Sequence, residues 1–249
     1  MLKDKTYFLA AAILILTALG CRSCETIDSS KLDPSEIYQE YSITASTNTT
    51  VKAELRVSGA TGTTVALVVP AKIEHNGKPM DENLRTVLSG TFYSDETVGF
   101  AGSHTFVFTD SSGKQFTNSV TFDPIKIEAE NIEINKNIRT LVVPLSRGLA
   151  SGESVSIQFA SEVDPPKTPA TNSNSNAAAG PDYLADISGS VDNDAKTLTI
   201  DTESLKNFAI GKAAMRITVK ATRQPLELGI RGGAISYQIQ SPPVASRVN

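Results

Sequence analysis

Residues 104–122, with the sequence HTFVFTDSSGKQFTNSVTF, decide the fold class. Phe106 and Phe108 alternate with polar or smaller side chains, the period of two that sends successive side chains to opposite faces of a β-strand. The sequence Asp-Ser-Ser-Gly then supplies a turn, in which glycine can take a positive φ. The stretch therefore predicts a hairpin of two strands, His104–Thr109 and Lys114–Phe122.

The same alternation continues along the chain in both directions. Apolar side chains at every second position mark Val51–Val57, Ile125–Ile134 and Ala213–Val219 as strands with one buried and one wet face. The one helical candidate, Glu203–Phe208, is too short to be more than a turn. Turn signals separate these runs at Asn76-Gly77, Arg147–Gly152, Asp192-Asn193-Asp194 and Gly232-Gly233. The pattern predicts an all-β protein.

A break at Asp123-Pro124 divides the strands into two groups. We place one domain at residues 35–124 and a second at 125–249. Each opens with a strand, a glycine-rich turn and a second strand, namely 52–57 with 64–69 and 140–144 with 154–160. This organisation predicts two tandem immunoglobulin-like antiparallel β-sandwich domains.

Residues 164–182 interrupt the second domain with a run dominated by Pro, Asn, Ser and Ala. Such a composition has no hydrophobic face to bury. We predict a flexible surface loop, and expect it to be a tolerated insertion rather than a binding element.

The amino terminus has the features of an export signal. Lys3 and Lys5 precede an apolar run, Tyr7–Gly20, that is shorter than the roughly 20 residues a helix needs to cross a bilayer. A short charged start, a short apolar run and small residues at its end are typical of a secretory signal peptide. Residues 1–20 are therefore predicted to be removed.

The sequence Ala18-Leu19-Gly20-Cys21 resembles the bacterial lipobox, in which the cysteine thiol is diacylated with palmitate-type chains and becomes the new amino terminus. Cys21 is accordingly the predicted lipidation site. Several acyl chains hold a protein far more firmly than the single chain that binds only marginally. The alternative is ordinary cleavage, which leaves Cys21 and Cys24 as free thiols. Residues 21–34 are polar and predicted to be a lipidated tether.

The composition argues against nucleic acid as a partner and against a fold stabilised by disulfides. The chain has a formal net charge of −4 and no strongly basic segment, so it is not predicted to bind nucleic acid. Cys21 and Cys24 are its only cysteines, and no disulfide is expected to stabilise the fold.

The two histidines are the first candidates for chemistry. His75 precedes the Asn76-Gly77 turn and is interpreted as a solvated turn residue. His104 shares strand parity with Phe106 and Phe108, so it is predicted to cap the buried face. A zinc site needs more ligands at close spacing, and no metal or other cofactor is predicted.

An acidic pair in a turn resembles part of a calcium loop. Asp192, Asp194 and Glu203 fall at positions 1, 3 and 12 of such a loop. Positions 5 and 6 are Lys196 and Thr197, where an EF-hand needs an oxygen ligand and a glycine. An EF-hand is therefore excluded, while a surface calcium contact stays an alternative.

The remaining motifs do not predict an enzyme. Ser111-x-x-Lys114 matches the penicillin-binding motif in letters alone, because it lies in a hairpin turn and lacks the partner motifs. Sugar-binding proteins generally stack aromatic side chains on sugar faces, yet the chain has no tryptophan. Its other candidates, each expected to serve the core, are Tyr38, Tyr41, Phe92, Tyr93, Tyr183 and Tyr237.

With Cys21 and the β-pattern together, the chain resembles outer-membrane lipoproteins of the Bacteroidota of unassigned function. The likeness lies in Ile37–Phe122, including Ile37-Tyr38-Gln39-Glu40-Tyr41, Ile73-Glu74-His75-Asn76-Gly77 and Gly90-Thr91-Phe92-Tyr93. It implies a β-sandwich fold and an outer-membrane location, and no site residue beyond Cys21. Arg22 is not the aspartate that retains such lipoproteins in the inner membrane. The periplasmic and cell-surface faces are both compatible with the sequence.

We therefore expect a non-catalytic, lipid-anchored lipoprotein of the cell envelope that acts as an interaction or scaffold module. Its partners would be the membrane, through Cys21, and an envelope protein or glycan. The alternatives are a surface glycan-binding lipoprotein of a polysaccharide-utilisation system and a fimbrial subunit that donates a strand to its neighbour.

Overall fold

The computed structural model describes residues 26–84, 90–162, 183–224, 227 and 231–249. The signal peptide, Cys21 and the predicted loop at 164–182 lie outside these described residues. The all-β sandwich fold expected from the sequence is confirmed. No helix in the described part of the chain is long and apolar enough to cross a membrane.

Strands and three short 3-10 helices form the described chain. The 3-10 helices are Ser29–Lys31, Pro34–Glu36 and Thr202–Leu205. The strands are Thr26–Asp28 (β1), Ile37–Ala45 (β2), Asn48–Val57 (β3), Thr64–Ala66 (β4), Lys72–His75 (β5), Lys78–Pro79 (β6), Asp81–Leu84 (β7), Thr91–Val98 (β8), Ser103–Thr109 (β9), Gln115–Thr121 (β10), Asn131–Ile134 (β11), Thr140–Pro144 (β12), Ser154–Ser161 (β13), Leu184–Ile187 (β14), Gly189–Asp192 (β15), Thr197–Asp201 (β16), Gly211–Arg223 (β17), Gly233–Gln240 (β18) and Val244–Val248 (β19).

One long sheet runs through the molecule. Its strands follow the order β1-β4-β3-β2-β18-β17-β13-β14, with β8 and β7 continuing beside β3, and β19 and β11 beside β17. A four-stranded sheet, β10-β9-β5-β6, and a three-stranded sheet, β12-β16-β15, complete the fold. Each smaller sheet packs over one half of the long sheet and encloses a separate hydrophobic core.

The two cores have different members. The first core contains Tyr41, Val51, Phe106, Phe108 and Phe116 among its buried side chains. The second core is mainly aliphatic and contains Ile125, Ile134, Val143, Ile157, Phe159, Leu198, Ile200, Phe208, Met215 and Ile217. The alternation read from the sequence explains both, because every second side chain of each strand points inward.

Strand β17 belongs to both cores. Its amino-terminal part pairs with β19 and β13, while Thr218–Arg223 pairs with β18. Met215 and Ile217 are buried in the second core, and Ala221 in the first. Strand β18 in turn lies parallel to β2 and buries its side chains in the first core. The boundary placed at Asp123-Pro124 stays a prediction.

The strand registers define two opposite ends of the molecule. At the end we call proximal, Thr26 pairs with Thr64, which pairs with Arg56 near the end of β3. At the end we call distal, Gly211 pairs with Val248, the last residue of β19. Residues 233–248 run between these ends, and at about 3.3 Å per residue they span roughly 50 Å.

Several local expectations differ from the structure. The predicted strand Ile125–Ile134 is a strand only at Asn131–Ile134. The predicted strand 64–69 ends at Ala66, because Ala71 donates a backbone hydrogen bond to Val68 and closes a turn. Strands β12 and β13, which open the predicted second domain, lie in different sheets and do not pair with each other. Not every strand pair is antiparallel, since β1 with β4, β11 with β19 and β2 with β18 are parallel.

Candidate functional site

A chain of hydrogen-bonded side chains crosses the first core. Asp95 on β8 contacts His75 at the end of β5, with 2.6 Å between Oδ2 and Nδ1. His75 Nε2 lies 2.9 Å from Nδ1 of His104 on β9. His104 Nε2 donates to the carbonyl oxygen of Ala101 at 2.9 Å. The chain links the long sheet, which holds β8, to the four-stranded sheet, which holds β5 and β9.

The interpretation of His75 as a solvated turn residue is wrong, because its side chain is only 1 % exposed. His75 is the last residue of β5, and like Ile73 two positions earlier it points inward. This alternation was visible in the sequence, but the adjacent Asn76-Gly77 turn led to the prediction of a solvated residue. The Asn76-Gly77 turn itself is confirmed, and both residues have positive φ. His104 is fully buried, as its parity with Phe106 predicts.

The hydrogen bonds fix where protons lie along this chain. Because the Ala101 carbonyl can only accept, His104 carries its proton on Nε2 and accepts at Nδ1 when neutral. His75 must then donate from Nε2, which leaves one further proton between its Nδ1 and Asp95. Burial lowers the pKa of His104, and the neighbouring His75 lowers it further. All four ring nitrogens have a partner, so the chain serves to hold the two sheets together.

A second polar network lies between the two cores. The Glu153 side chain is 1 % exposed and accepts hydrogen bonds from both terminal nitrogens of Arg147, at 2.7 and 3.0 Å. It also accepts from the Ala150 amide at 2.7 Å and from Tyr237 Oη at 2.9 Å. Arg147 in turn donates to the carbonyl of Asp123 at 2.7 Å. The network therefore ties β18 and the Asp123 linker to the loop before β13.

Several effects set the charge of Glu153. Burial by itself raises the pKa of this carboxyl, but the hydrogen bonds from Arg147, Ala150 and Tyr237 outweigh burial. The pKa of Glu153 therefore lies below its usual range, and the carboxylate stays ionised at neutral pH. The open cleft beside it has a volume of about 280 Å³ and is lined in part by Arg147, Asn193 and Arg223.

Two other open clefts lie on the second half of the molecule. One, of about 390 Å³, is lined by residues of β11, β17 and β19, including Glu133, Lys212 and Arg247. The other, of about 380 Å³, lies at the distal end between Lys136, Arg139, Asp201 and Glu203 and their neighbours.

The turn motifs singled out in the sequence have structural partners. Asp110 Oδ1 accepts from the amides of Ser112 and Lys114, which closes the turn that contains Ser111. Asp192 Oδ1 accepts from the amides of Asp194 and Ala195 in the same manner. These carboxylates stabilise turns. Among the described residues, no group of three or more His, Cys, Asp or Glu side chains could hold a metal ion.

Three of the six aromatic candidates, Tyr41, Tyr93 and Tyr237, lie in the core as expected, whereas Tyr38, Phe92 and Tyr183 are only half-buried. Tyr41 is buried and stacks on Phe106 with ring centroids 4.3 Å apart. Burial raises the pKa of Tyr93 to about 12, and its hydroxyl accepts from the Leu67 amide at 2.7 Å. Tyr237 is buried against Phe122, with ring centroids 4.8 Å apart. The sequence did not mark Glu153 or Asp95 as site residues, because Glu153 meets Tyr237 from 84 positions away and Asp95 meets His75 from 20 positions away.

The sequence matches no family model and no curated protein. Among solved structures, the chain is similar to a Bacteroides ovatus mixed-linkage glucan utilization locus SGBP-B in complex with a mixed-linkage heptasaccharide, with 11 % identity and a TM-score of 0.24. The alignment covers 82 % of this chain and 53 % of that one.

Two solved structures of adhesion proteins align to the chain with similar identities and TM-scores. A tetra-tandem repeat from the extending region of a large adhesion protein shares 12 % identity, with a TM-score of 0.21 and coverage of 83 % of this chain and 49 % of that one. The Yersinia pseudotuberculosis adhesin InvE also shares 12 % identity, with a TM-score of 0.21 and coverage of 84 % and 59 %. The chain thus spans about half the length of these proteins, and no argument about its function rests on such low scores.

Proposed function

We propose that the protein is a non-catalytic lipoprotein of the bacterial outer membrane, anchored by lipid on Cys21, that acts as an interaction or scaffold module. The observation that carries the proposal is the sharing of β17 between the two cores. One continuous sheet makes the two sandwiches a rod, with the amino-terminal chain at its proximal end. The distal end is therefore held away from the anchor.

The polar interior supports a structural rather than a catalytic role for the residues in it. His75 and His104 are buried, and each ring nitrogen has a partner. A general acid or base must reach a substrate, and these rings have no exposed nitrogen with which to do so. Glu153 is likewise enclosed by its donors.

The distal end is the surface we assign to partner binding. Ile138 and Ile210 are exposed there, beside the cleft that Lys136 and Arg139 help to line. Lys136 donates to the carbonyl of Phe208, and Thr202 donates to the carbonyl of Ile138, so the loops that carry both isoleucines are fixed. Exposed apolar side chains on fixed loops, with charged groups around them, suit a protein partner.

In-cell photo-crosslinking tests this assignment. A photoreactive residue placed at Ile210 should capture an envelope component, whereas the same residue at Val98, midway along the rod and 90 % exposed, should not. Capture from both positions, or from Val98 alone, would contradict the assignment to the distal end.

The anchor is tested separately. The Cys21→Ala variant should be exported as a soluble, folded protein, because the first described strand begins at Thr26, after Cys21. Fractionation of cells and circular dichroism of the released protein measure the two parts of this expectation. Retention of Cys21→Ala in the membrane fraction would show that lipid on Cys21 is not the anchor.

A further inference from the structure

An apolar turn projects from the first sandwich near the proximal end of the rod. Val69 is 90 % exposed, and its neighbour Val68 is 40 % exposed. The turn connects β4 to β5, whose first residues pair with Arg56 and Thr109 respectively. Lys72 therefore lies at the proximal end, whereas β4 runs antiparallel to β3 and away from that end as far as Ala66, so the turn lies on the side of the first sandwich between these two levels.

The turn is attached to the first described residues of the chain. Thr26 pairs with Thr64, and Ser29 Oγ accepts a hydrogen bond of 2.9 Å from the Val68 amide. Since Thr26 and Ser29 are three residues apart, the turn lies about 10 Å from Thr26. The side chains that project into solvent are therefore close to the point where the tether joins the fold.

The chain between Cys21 and the first described residue is short. Cys21 and Thr26 are five residues apart. A fully extended chain spans at most about 3.5 Å per residue, so Thr26 lies within roughly 18 Å of an anchored Cys21. The bilayer surface is consequently within reach of the turn in many orientations of the rod.

The base of the turn is held rigidly. The Leu67 amide donates to Tyr93 Oη, and the Ala71 amide donates to the Val68 carbonyl at 3.0 Å. The turn therefore presents its valine side chains in a fixed conformation. Burying them against lipid removes apolar surface from water with little loss of chain entropy.

We propose that the Val68-Val69-Pro70 turn contacts the lipid bilayer and fixes the tilt of the rod relative to it. This inference rests on the proposed lipid anchor at Cys21. The partner is the bilayer rather than a protein, because the reach of the tether confines the turn to the neighbourhood of the membrane.

The test places a fluorophore at two valines of equal exposure. In the lipidated protein carrying Cys24→Ser, Val69→Cys or Val98→Cys is labelled with an environment-sensitive dye and reconstituted into phosphatidylcholine vesicles with or without brominated acyl chains. Val98 is the matched control, because it is also 90 % exposed but lies at the other end of β3, where it pairs with Asn48. The fluorescence emission of the dye at position 69 should shift to shorter wavelength in vesicles and be quenched by the brominated lipid. The emission of the dye at position 98 should show neither change.

A dye can insert into lipid by itself, so a second measurement uses the unlabelled chain. Photoactivatable phosphatidylcholine should crosslink to the peptide that contains Val69, and the variant with Val68→Asp and Val69→Asp should lose that crosslink. Equal behaviour of the dyes at 69 and 98 in protein that floats with vesicles would overturn the contact and leave the anchor intact. Protein that fails to float with vesicles would overturn the anchor, and the contact with it.

Discussion

The two cores of this molecule contain different types of side chain. The first core contains the aromatic side chains Tyr41, Tyr93, Phe106, Phe108, Phe116, Phe122 and Tyr237, and the Asp95-His75-His104 chain crosses it. The second core is filled mainly with Ile, Leu and Val, with Phe159 and Phe208 as its buried aromatic residues. Buried hydroxyls in the second half of the described chain belong to Thr202, Thr218, Ser241 and Ser246.

This difference shows that two similar β-sandwiches obtain specificity in different ways. Aliphatic side chains can repack with small losses, whereas a buried hydrogen-bond chain tolerates one arrangement of its members. The first core therefore depends on the positions of Asp95, His75 and His104. It also depends on the carboxy-terminal part of the chain, because β18 supplies Ile235, Tyr237 and Ile239.

The largest effect should come from truncating one large side chain in either core. Phe106→Ala in the first core and Phe159→Ala in the second each remove a fully buried ring, which lowers the free energy of unfolding by about 3–5 kcal/mol. Because β17 contributes to both cores, each variant should destabilise the two together. Hydrogen exchange of amides in β10 and β16 measures the two halves in one experiment. Loss of protection confined to the mutated half would show that the cores unfold independently.

A smaller effect is expected where the cores meet. Glu153→Gln removes the charge that Arg147 and Tyr237 bind and should lower the free energy of unfolding by about 2 kcal/mol. Glu203→Gln is the matched control, since Glu203 is exposed and pairs with Lys206 on the surface, where such pairs contribute about 0.5 kcal/mol or less. Urea denaturation of both variants checks this expectation. Equal urea midpoints for Glu153→Gln and Glu203→Gln would contradict the expected difference in stability.

Local backbone effects should not distinguish the two halves. Gly77 and Gly152 have φ of 77° and 79°, and an added Cβ at either position would meet no atom within 4 Å. Gly77→Ala and Gly152→Ala should each lower the free energy of unfolding by about 1 kcal/mol, because a side chain disfavours this left-handed conformation. Thermal denaturation of the pair measures the effect. A clear difference between the stability losses of Gly77→Ala and Gly152→Ala would mean that backbone strain also differs between the two halves.

The smallest effect should appear in the pH dependence, because one ring in the first core changes charge. Burial lowers the pKa of His104, so the folded protein keeps that ring neutral while the unfolded chain binds a proton below about pH 6.5. The free energy of unfolding should therefore be highest above this pH and fall as the pH drops from 6.5 towards the folded-state pKa.

Two urea titrations, at pH 7.5 and pH 5.5, measure this dependence. The variant His104→Gln should depend less on pH between these values, since it lacks the titrating ring beside His75 and Asp95. A variant with the same pH dependence as the unmodified protein would place the titrating group elsewhere.

Much of the fold could be predicted from local patterns. The hairpin of β9 and β10, the Asn76-Gly77 turn and the alternation along β17 follow from period-two burial and turn chemistry. The prediction for His75 failed because two local signals conflict there. His75 carries both strand parity and an adjacent turn, and its partner Asp95 is 20 positions away in the chain.

The candidate sites were less predictable than the fold. Tyr237 and Glu153 are 84 positions apart, and Ser29 and Val68 are 39 apart. No sequence spacing indicates such contacts, because they arise only when strands from distant parts of the chain align in one sheet. For the same reason the parallel pairing of β18 with β2 had no local signal.

The sequence by itself therefore determined the all-β class, the turns and the prediction that Cys21 carries lipid, since each depends on a few neighbouring residues. Tertiary structure alone decided that β17 serves both cores, that the two histidines meet Asp95, and that Val69 lies beside the incoming chain. These features depend on strand order and register. Both are set by the burial of whole faces rather than by the preferences of single segments.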